Sequence, residues 1–234
     1  SSPNELKEST YYIKEVDDLN ATRLLRFVMM VVCNPPQLSI DQQVEQHFSS
    51  IEYYNTYIAT HAPRAIDYLG RAMDYMTLRN YESALADINK AIEIAPDQMV
   101  LYMLRAQARL LLRAAESATY YKEKEDVVDL GKLKPAEQLA LVVSDIDKAI
   151  ELSPRTAILW YNKGNAHFYL NDYTSAIAAY NKAIELQPNM GEAYYNRGYM
   201  YLKLGNQAAG TADLSKAGEL GIVSAYNLIK RVNK

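Results

Sequence analysis

Residues 157–188 read AILWYNKGNAHFYLNDYTSAIAAYNKAIELQP, two short amphipathic helices joined by a turn. Ile177, Tyr180, Ala183 and Ile184 share one face of the second helix, whereas Asn181, Lys182 and Glu185 look outward, which is the 3.6-residue period of a helix with one buried side. Asn171-Asp172 supplies the turn, and Pro188 ends the unit because it cannot continue a helix. Gly164 and Ala176 are small where the two helices must cross closely, and Trp160 and Tyr180 fill the volume on either side.

This unit recurs. Its closing segment KAIELQP at 182–188 is matched by KAIEIAP at 90–96 and KAIELSP at 148–154. A first clear copy, 65–98, carries Tyr68, Ala72, Tyr75, Ala84, Ile88, Ala91 and Pro96 at the corresponding places. The second, 99–156, opens with Tyr102 and Ala106 and closes with Val142, Ile146, Ala149 and Pro154. Pro154 lies 58 residues after Pro96, against 34 from Pro154 to Pro188, so 24 extra residues are expected between its two helices, near 114–138. There the first helix should run on through Tyr120-Tyr121, break at Asp129-Leu130-Gly131 and restart at Pro135.

The third copy is 157–190, and the fourth, 191–221, keeps Tyr194, Gly198, Tyr201, Leu214 and Ala217. Gly210 and Gly218 are expected to weaken its second helix. Residues 222–234 then read as the capping helix that a repeat array requires. Upstream, 39–61 reads as one helix with Ile40, Val44, Phe48, Ile51, Tyr54 and Ile58 on a face, opened by a capping box of Ser39 and Gln42. Ser50 and Tyr54 fall on the small and aromatic places of a second helix, so this is the tail of a degenerate repeat. Residues 1–38 form an irregular N-terminal segment stopped by Asn34-Pro35-Pro36, whose apolar clusters at 11–16 and 24–32 fit two short strands or one strand and one helix.

Trp160, Gly164, His167, Ala176, Tyr180, Ala183 and Pro188 resemble the signature of the tetratricopeptide (TPR) family, W-x2-L-G-x2-Y, A-x3-F and P. Lys163 stands where that pattern has Leu, His167 where it has Tyr, and Arg71 and Ile88 are atypical in the first copy. The resemblance spans 65–221. It implies an all-α fold, a right-handed α-α superhelix, whose first helices line a concave groove for a peptide or partner protein. The family's groove positions fall here on Met73, Met76 and Met103 towards one end, and on Tyr161, Asn162, Asn165, Tyr195, Asn196 and Tyr199 towards the other. Met adapts to irregular shapes, Tyr gives rigid contact area and Asn can bond a peptide backbone. Asn165, Asn196 and Lys230 fall at the places of the family's two-carboxylate clamp, but Tyr161 and Tyr226 stand at two of its Lys places, so that clamp is not expected.

A net charge of −3 and a pI near 5.7 give no basic footprint, so nucleic acid is not an expected partner. Cys33 is alone and forms no internal disulfide. The longest apolar run, Phe27 to Cys33, is far short of the roughly 20 residues of a membrane span. His47, His61 and His167 show no metal spacing. The acid pairs Asp145/Asp147 and Glu123/Glu125 read as solvated surface, and neither a phosphate loop nor a nucleophile elbow occurs. The expectation is a non-enzymatic protein-binding scaffold without cofactor. Its alternative is a structural or self-associating C-terminal segment of a longer array. The start Ser1-Ser2-Pro3, without Met, fits a processed protein or a fragment, and an exported or periplasmic bacterial location is favoured over a cytoplasmic one.

Overall fold

A computed structural model of the chain describes residues 40–122 and 135–232. All regular structure among them is helical: α1 (Ile40–Thr60), α2 (Ala65–Thr77), α3 (Tyr81–Ile94), α4 (Met99–Lys122), α5 (Pro135–Leu152), α6 (Ala157–Tyr169), α7 (Tyr173–Leu186), α8 (Gly191–Lys203), α9 (Gln207–Glu219) and α10 (Ser224–Val232). The all-α class expected from the repeat is thus the observed one. The strands considered for 1–38, Cys33, the Ser39 cap, Glu123/Glu125 and the break at 129–131 lie outside the described residues. Among the described residues no helix is long and apolar enough to cross a membrane. They form two compact units that meet in sequence at Leu152 and Ser153.

In the first unit the hairpin α2/α3 stacks on α4, and Ala72, Met76, Ala84, Ile88, Leu104 and Ala108 make its apolar core. α1 packs on α2 by laying the Tyr54 ring over Gly70, where a Cβ would have no room. Of the apolar face read for α1, Ile51 is buried and Tyr54 and Ile58 are half-buried, whereas Val44 and Phe48 remain exposed. α4 has 24 residues and α5 has 18. The other hairpin helices have 13 or 14, so part of the extra length of this hairpin extends both of its helices, and the rest falls in 123–134, outside the described residues.

In the second unit α6/α7 and α8/α9 are the hairpins and α10 follows. The crossing of α6 with α7 places the Tyr180 ring directly on Gly164. α8 and α9 approach backbone to backbone: a Cβ on Gly198 would lie 2.9 Å from the Gly210 carbonyl oxygen, and one on Gly210 would lie 2.9 Å from that of Gly198. Gly210 and Gly218 therefore do not interrupt α9, which runs unbroken from Gln207 to Glu219. The first permits the close crossing and the second receives the Tyr226 ring of the segment that follows.

The turns inside the α2/α3, α6/α7 and α8/α9 hairpins share one chemistry. Arg79, Asn171 and Gly205 take positive φ of 60°, 58° and 79°. The next residue, Asn80, Asp172 or Asn206, then caps the second helix, its side-chain oxygen accepting from the backbone N–H of Ser83, Ser175 or Ala209. Because the α8/α9 crossing has space for neither Cβ, Gly198→Ala and Gly210→Ala should each destabilise the chain by about 2 kcal/mol. Urea unfolding followed by circular dichroism checks this, and values within the scatter of the wild type would show that the crossing is looser than the structure has it.

Candidate partner-binding face

Each site side chain is positioned by a tie that repeats along the chain. Arg71, Arg105 and Arg197 stand three residues after Tyr68, Tyr102 and Tyr194, hence on the same helix face. Their guanidinium carbons lie 6.0, 5.5 and 5.4 Å from those ring centroids. The Nε/Nη2 fork of each holds an aspartate of its own hairpin: Asp87 at 2.8 and 2.7 Å, Asp145 at 3.0 and 2.7 Å, Asp213 at 2.7 Å twice. Nη1 meanwhile donates to an asparagine of the preceding second helix, Asn55, Asn89 or Asn181, at 2.8, 3.0 and 2.8 Å. One guanidinium thus binds two neighbouring hairpins through the planar geometry that suits carboxylates. The hydrogen bond that it donates to its aspartate holds Arg71, and likewise Arg197, above the ordinary arginine range.

Asp145, expected on a solvated face, is instead 2% exposed. Arg105 and Arg109 both reach it, and a carboxylate in that position leaves water. A second tie runs from the ring at the head of the hairpin to the closing proline before it. Tyr102 Oη donates to the Pro96 carbonyl at 2.7 Å, and Trp160 Nε1 donates to that of Pro154 at 2.9 Å. In the third copy Lys163 and Ala179 take the places of the arginine and its aspartate, and the Lys163 ammonium sits 5.7 Å from the Trp160 ring centroid. None of these ties was read from the sequence, although the recurring Arg-x15-Asp spacing in the first and fourth copies carries the signal.

The Tyr and Asn residues expected to line an open groove are brought together in the second unit, but with one another. Tyr180 Oη donates to Asn165 Oδ1 at 2.6 Å, and Asn196 Nδ2 donates to Asn165 Oδ1 at 2.8 Å and to the Tyr161 hydroxyl oxygen at 3.1 Å. Tyr161, Asn165, Tyr195 and Asn196 are all buried, which corrects their placement on an accessible face. The cause is lateral: α8 lies against α6 and α7, and its Asn196 reaches Tyr161 and Asn165. Burial pushes the Tyr161 and Tyr180 hydroxyls well above the ordinary tyrosine value. Tyr199 keeps partial exposure and meets the Phe168 ring edge-on at 6.2 Å. Asn162 is 1% exposed, and both atoms of its amide lack a hydrogen-bond partner. In the first unit Met76 and Met103 are core residues, and Met73 is half-buried against the same cluster. The structure does not bring the Met set and the Tyr/Asn set into one unit.

Consecutive helical hairpins, tied in register by one repeated contact, define an α-helical repeat protein of the solenoid class. A sequence profile described as the TPR repeat matches residues 164–205, and one described as the tetratricopeptide repeat matches 68–98 and 191–220. The chain thus carries tetratricopeptide repeats over 68–98 and 164–220. No curated protein matches it in sequence. Among solved structures, a crystal structure of MamA is 15% identical, with 86% of this chain and 92% of that one covered and a TM-score of 0.61. A second crystal structure of MamA is 16% identical, with 82% and 99% covered and a TM-score of 0.61. MamA from residue 41 to its end, from Desulfovibrio magneticus RS-1, is 14% identical, with 86% and 96% covered and a TM-score of 0.58. At such identities the likeness is one of fold.

Removing one partner of a buried guanidinium–carboxylate tie strands the other, so Asp213→Ala should cost about 3 kcal/mol. Arg197→Lys, which keeps charge but not the fork, should lie between it and the wild type in urea unfolding. The buried tyrosines set the alkaline limit. Their folded values lie above the unfolded 10.0, so their contribution to stability is complete below pH 10 and is lost as pH rises from there towards the raised values. Unfolding midpoints measured across this range should fall, and Tyr180→Phe should flatten the slope.

Proposed function

We propose that this chain is a non-catalytic scaffold that binds a partner protein along the first helices of its third and fourth repeats, α6 and α8. The TPR repeats support the general part, since proteins of this family serve as interaction scaffolds, and the fold likeness to MamA is consistent with it. The observation that supports the finer part is the Asn162 amide. Leaving a buried amide unpaired costs about 1–3 kcal/mol. The second repeat avoids that cost by carrying Leu104, also fully buried, at the same place. An asparagine amide offers one donating and one accepting edge, the complement of a peptide group, so an extended partner segment that displaces the side chains now covering this buried amide would satisfy it. Half-buried Ile158 and Tyr199 on the same two helices provide apolar contact beside it. Tyr161 and Tyr195 support this surface from within the core.

A group kept for binding is a liability in the free protein. Asn162→Leu should therefore leave the melting temperature unchanged or raise it by a few degrees, while abolishing capture of the protein that the wild-type chain retains from a lysate of its source. Thermal melts and mass spectrometry of the captured material read both effects. Equal capture by the variant would place binding elsewhere, and recovery of this same chain as the captured protein would favour a self-associating array segment.

A further inference from the structure

The second hairpin departs from the one-guanidinium, one-aspartate tie of its neighbours. One turn after the tie's cation, the other first helices carry rings, Tyr75, His167 and Tyr201, where α4 carries Arg109. Two guanidinium groups consequently share Asp145, whose oxygens are already taken by Arg105 and by Arg109 Nη1 at 2.6 Å. Arg109 Nη1 also donates to the Leu141 carbonyl at 3.3 Å. Its Nε and Nη2 donate to nothing among the described residues. Those are the two donors with which Arg71, Arg105 and Arg197 each hold an aspartate.

We infer that the open Nε/Nη2 fork of Arg109, with Arg113 a turn further along α4, receives a carboxylate of an acidic partner peptide docked on the long hairpin. Arg113 is half-buried and has no ion pair among the described residues. Among the described ion pairs the only carboxylate facing Arg105 and Arg109 is the one they share, Asp145, while Glu137, a turn before Leu141 on α5, already has a partner. The Arg109 side chain retains 23% exposure. Leu141 beside it is 49% exposed, so an apolar residue next to the carboxylate also finds a contact. A peptide meets both demands and a bare anion meets one. Burial, and then the neighbouring Arg105, pull Arg109 below the ordinary arginine range against the pull of Asp145, and a second carboxylate relieves that strain. The surface is separate from the α6/α8 face and stands whether or not that face binds.

The test uses the full chain and a fluorescein-labelled peptide Glu-Leu-Glu-Leu-Glu, followed by anisotropy. In parallel, nitrogen-15 spectra of the arginine Nε–H groups are recorded during the titration. Arg109→Lys keeps the charge on Asp145 and removes the fork, so peptide affinity should fall at least about tenfold while the circular dichroism melt stays that of a folded chain. The Arg109 Nε–H signal should move with added peptide, and those of Arg71, Arg105 and Arg197 should not. Absence of wild-type binding, unchanged affinity in Arg109→Lys, equal binding of the Gln-for-Glu peptide, or displacement by inorganic phosphate at equal concentration would each overturn the inference.

Discussion

The guanidinium that reaches its own aspartate, the asparagine of the preceding helix and the ring one turn behind it is the contact on which the register of the hairpins depends. Apolar burial alone is non-directional and tolerates sliding of one helical pair over the next. The planar fork is not so tolerant, because two N–H groups must meet two carboxylate oxygens while a third points to an amide. Arg71, Arg105 and Arg197 each meet that demand with nearly the same distances, although they lie in hairpins of different length. Where the arginine is absent the aspartate is absent too: Lys163 is matched by Ala179. That paired change leaves no carboxylate buried without its cation, which would be costly.

Register fixed in this way lets the crossings be close, and each crossing is solved with different atoms. Tyr180 covers Gly164, Tyr54 covers Gly70, and Gly198 and Gly210 bring two backbones together. Volume missing on one helix is supplied by a ring from the other, except between α8 and α9, where Leu202 covers Gly210, Asp213 and Leu214 approach Gly198, and each glycine also faces the other's carbonyl oxygen. This explains why the fourth hairpin carries a glycine inside its second helix at a place where helix propensity alone argues against one. The propensity penalty is local, whereas the packing it permits joins two helices.

Much of the helical architecture could be read from the sequence because it rests on local signals: apolar period, the Asn or Asp that opens a second helix, and the closing proline. What escaped was set by residues far apart. Asp145 looks like half of a solvated acid pair until α4 brings Arg105, 40 residues away, against it. Tyr161, Asn165 and Asn196 occupy positions that the family pattern turns inward, but whether a ligand or another helix meets them depends on a contact spanning 31 to 35 residues. A positional pattern fixes the direction of a side chain. It does not fix what stands opposite.

Twenty tyrosines against three phenylalanines follow from the same need for direction. A phenyl ring would fill the crossing over Gly164 as well as Tyr180 does, but only the hydroxyl can reach Asn165 and, through it, Asn196 of the next hairpin. Tyr102 likewise converts a packing contact into a bond to the Pro96 carbonyl, a group that a helix end leaves unsatisfied. The rings at the head of the first, second and fourth repeats also face the guanidinium groups of the ties, where electron-rich faces favour the cation. Tyr102 and Tyr180 therefore contribute apolar area to their own hairpins and take part in a directional contact to a neighbour. Against that background the Asn162 amide and the Nε/Nη2 edge of Arg109 keep hydrogen-bonding capacity that is not used among the described residues, as do single buried atoms of Asp74, Gln107, His167 and Ser224.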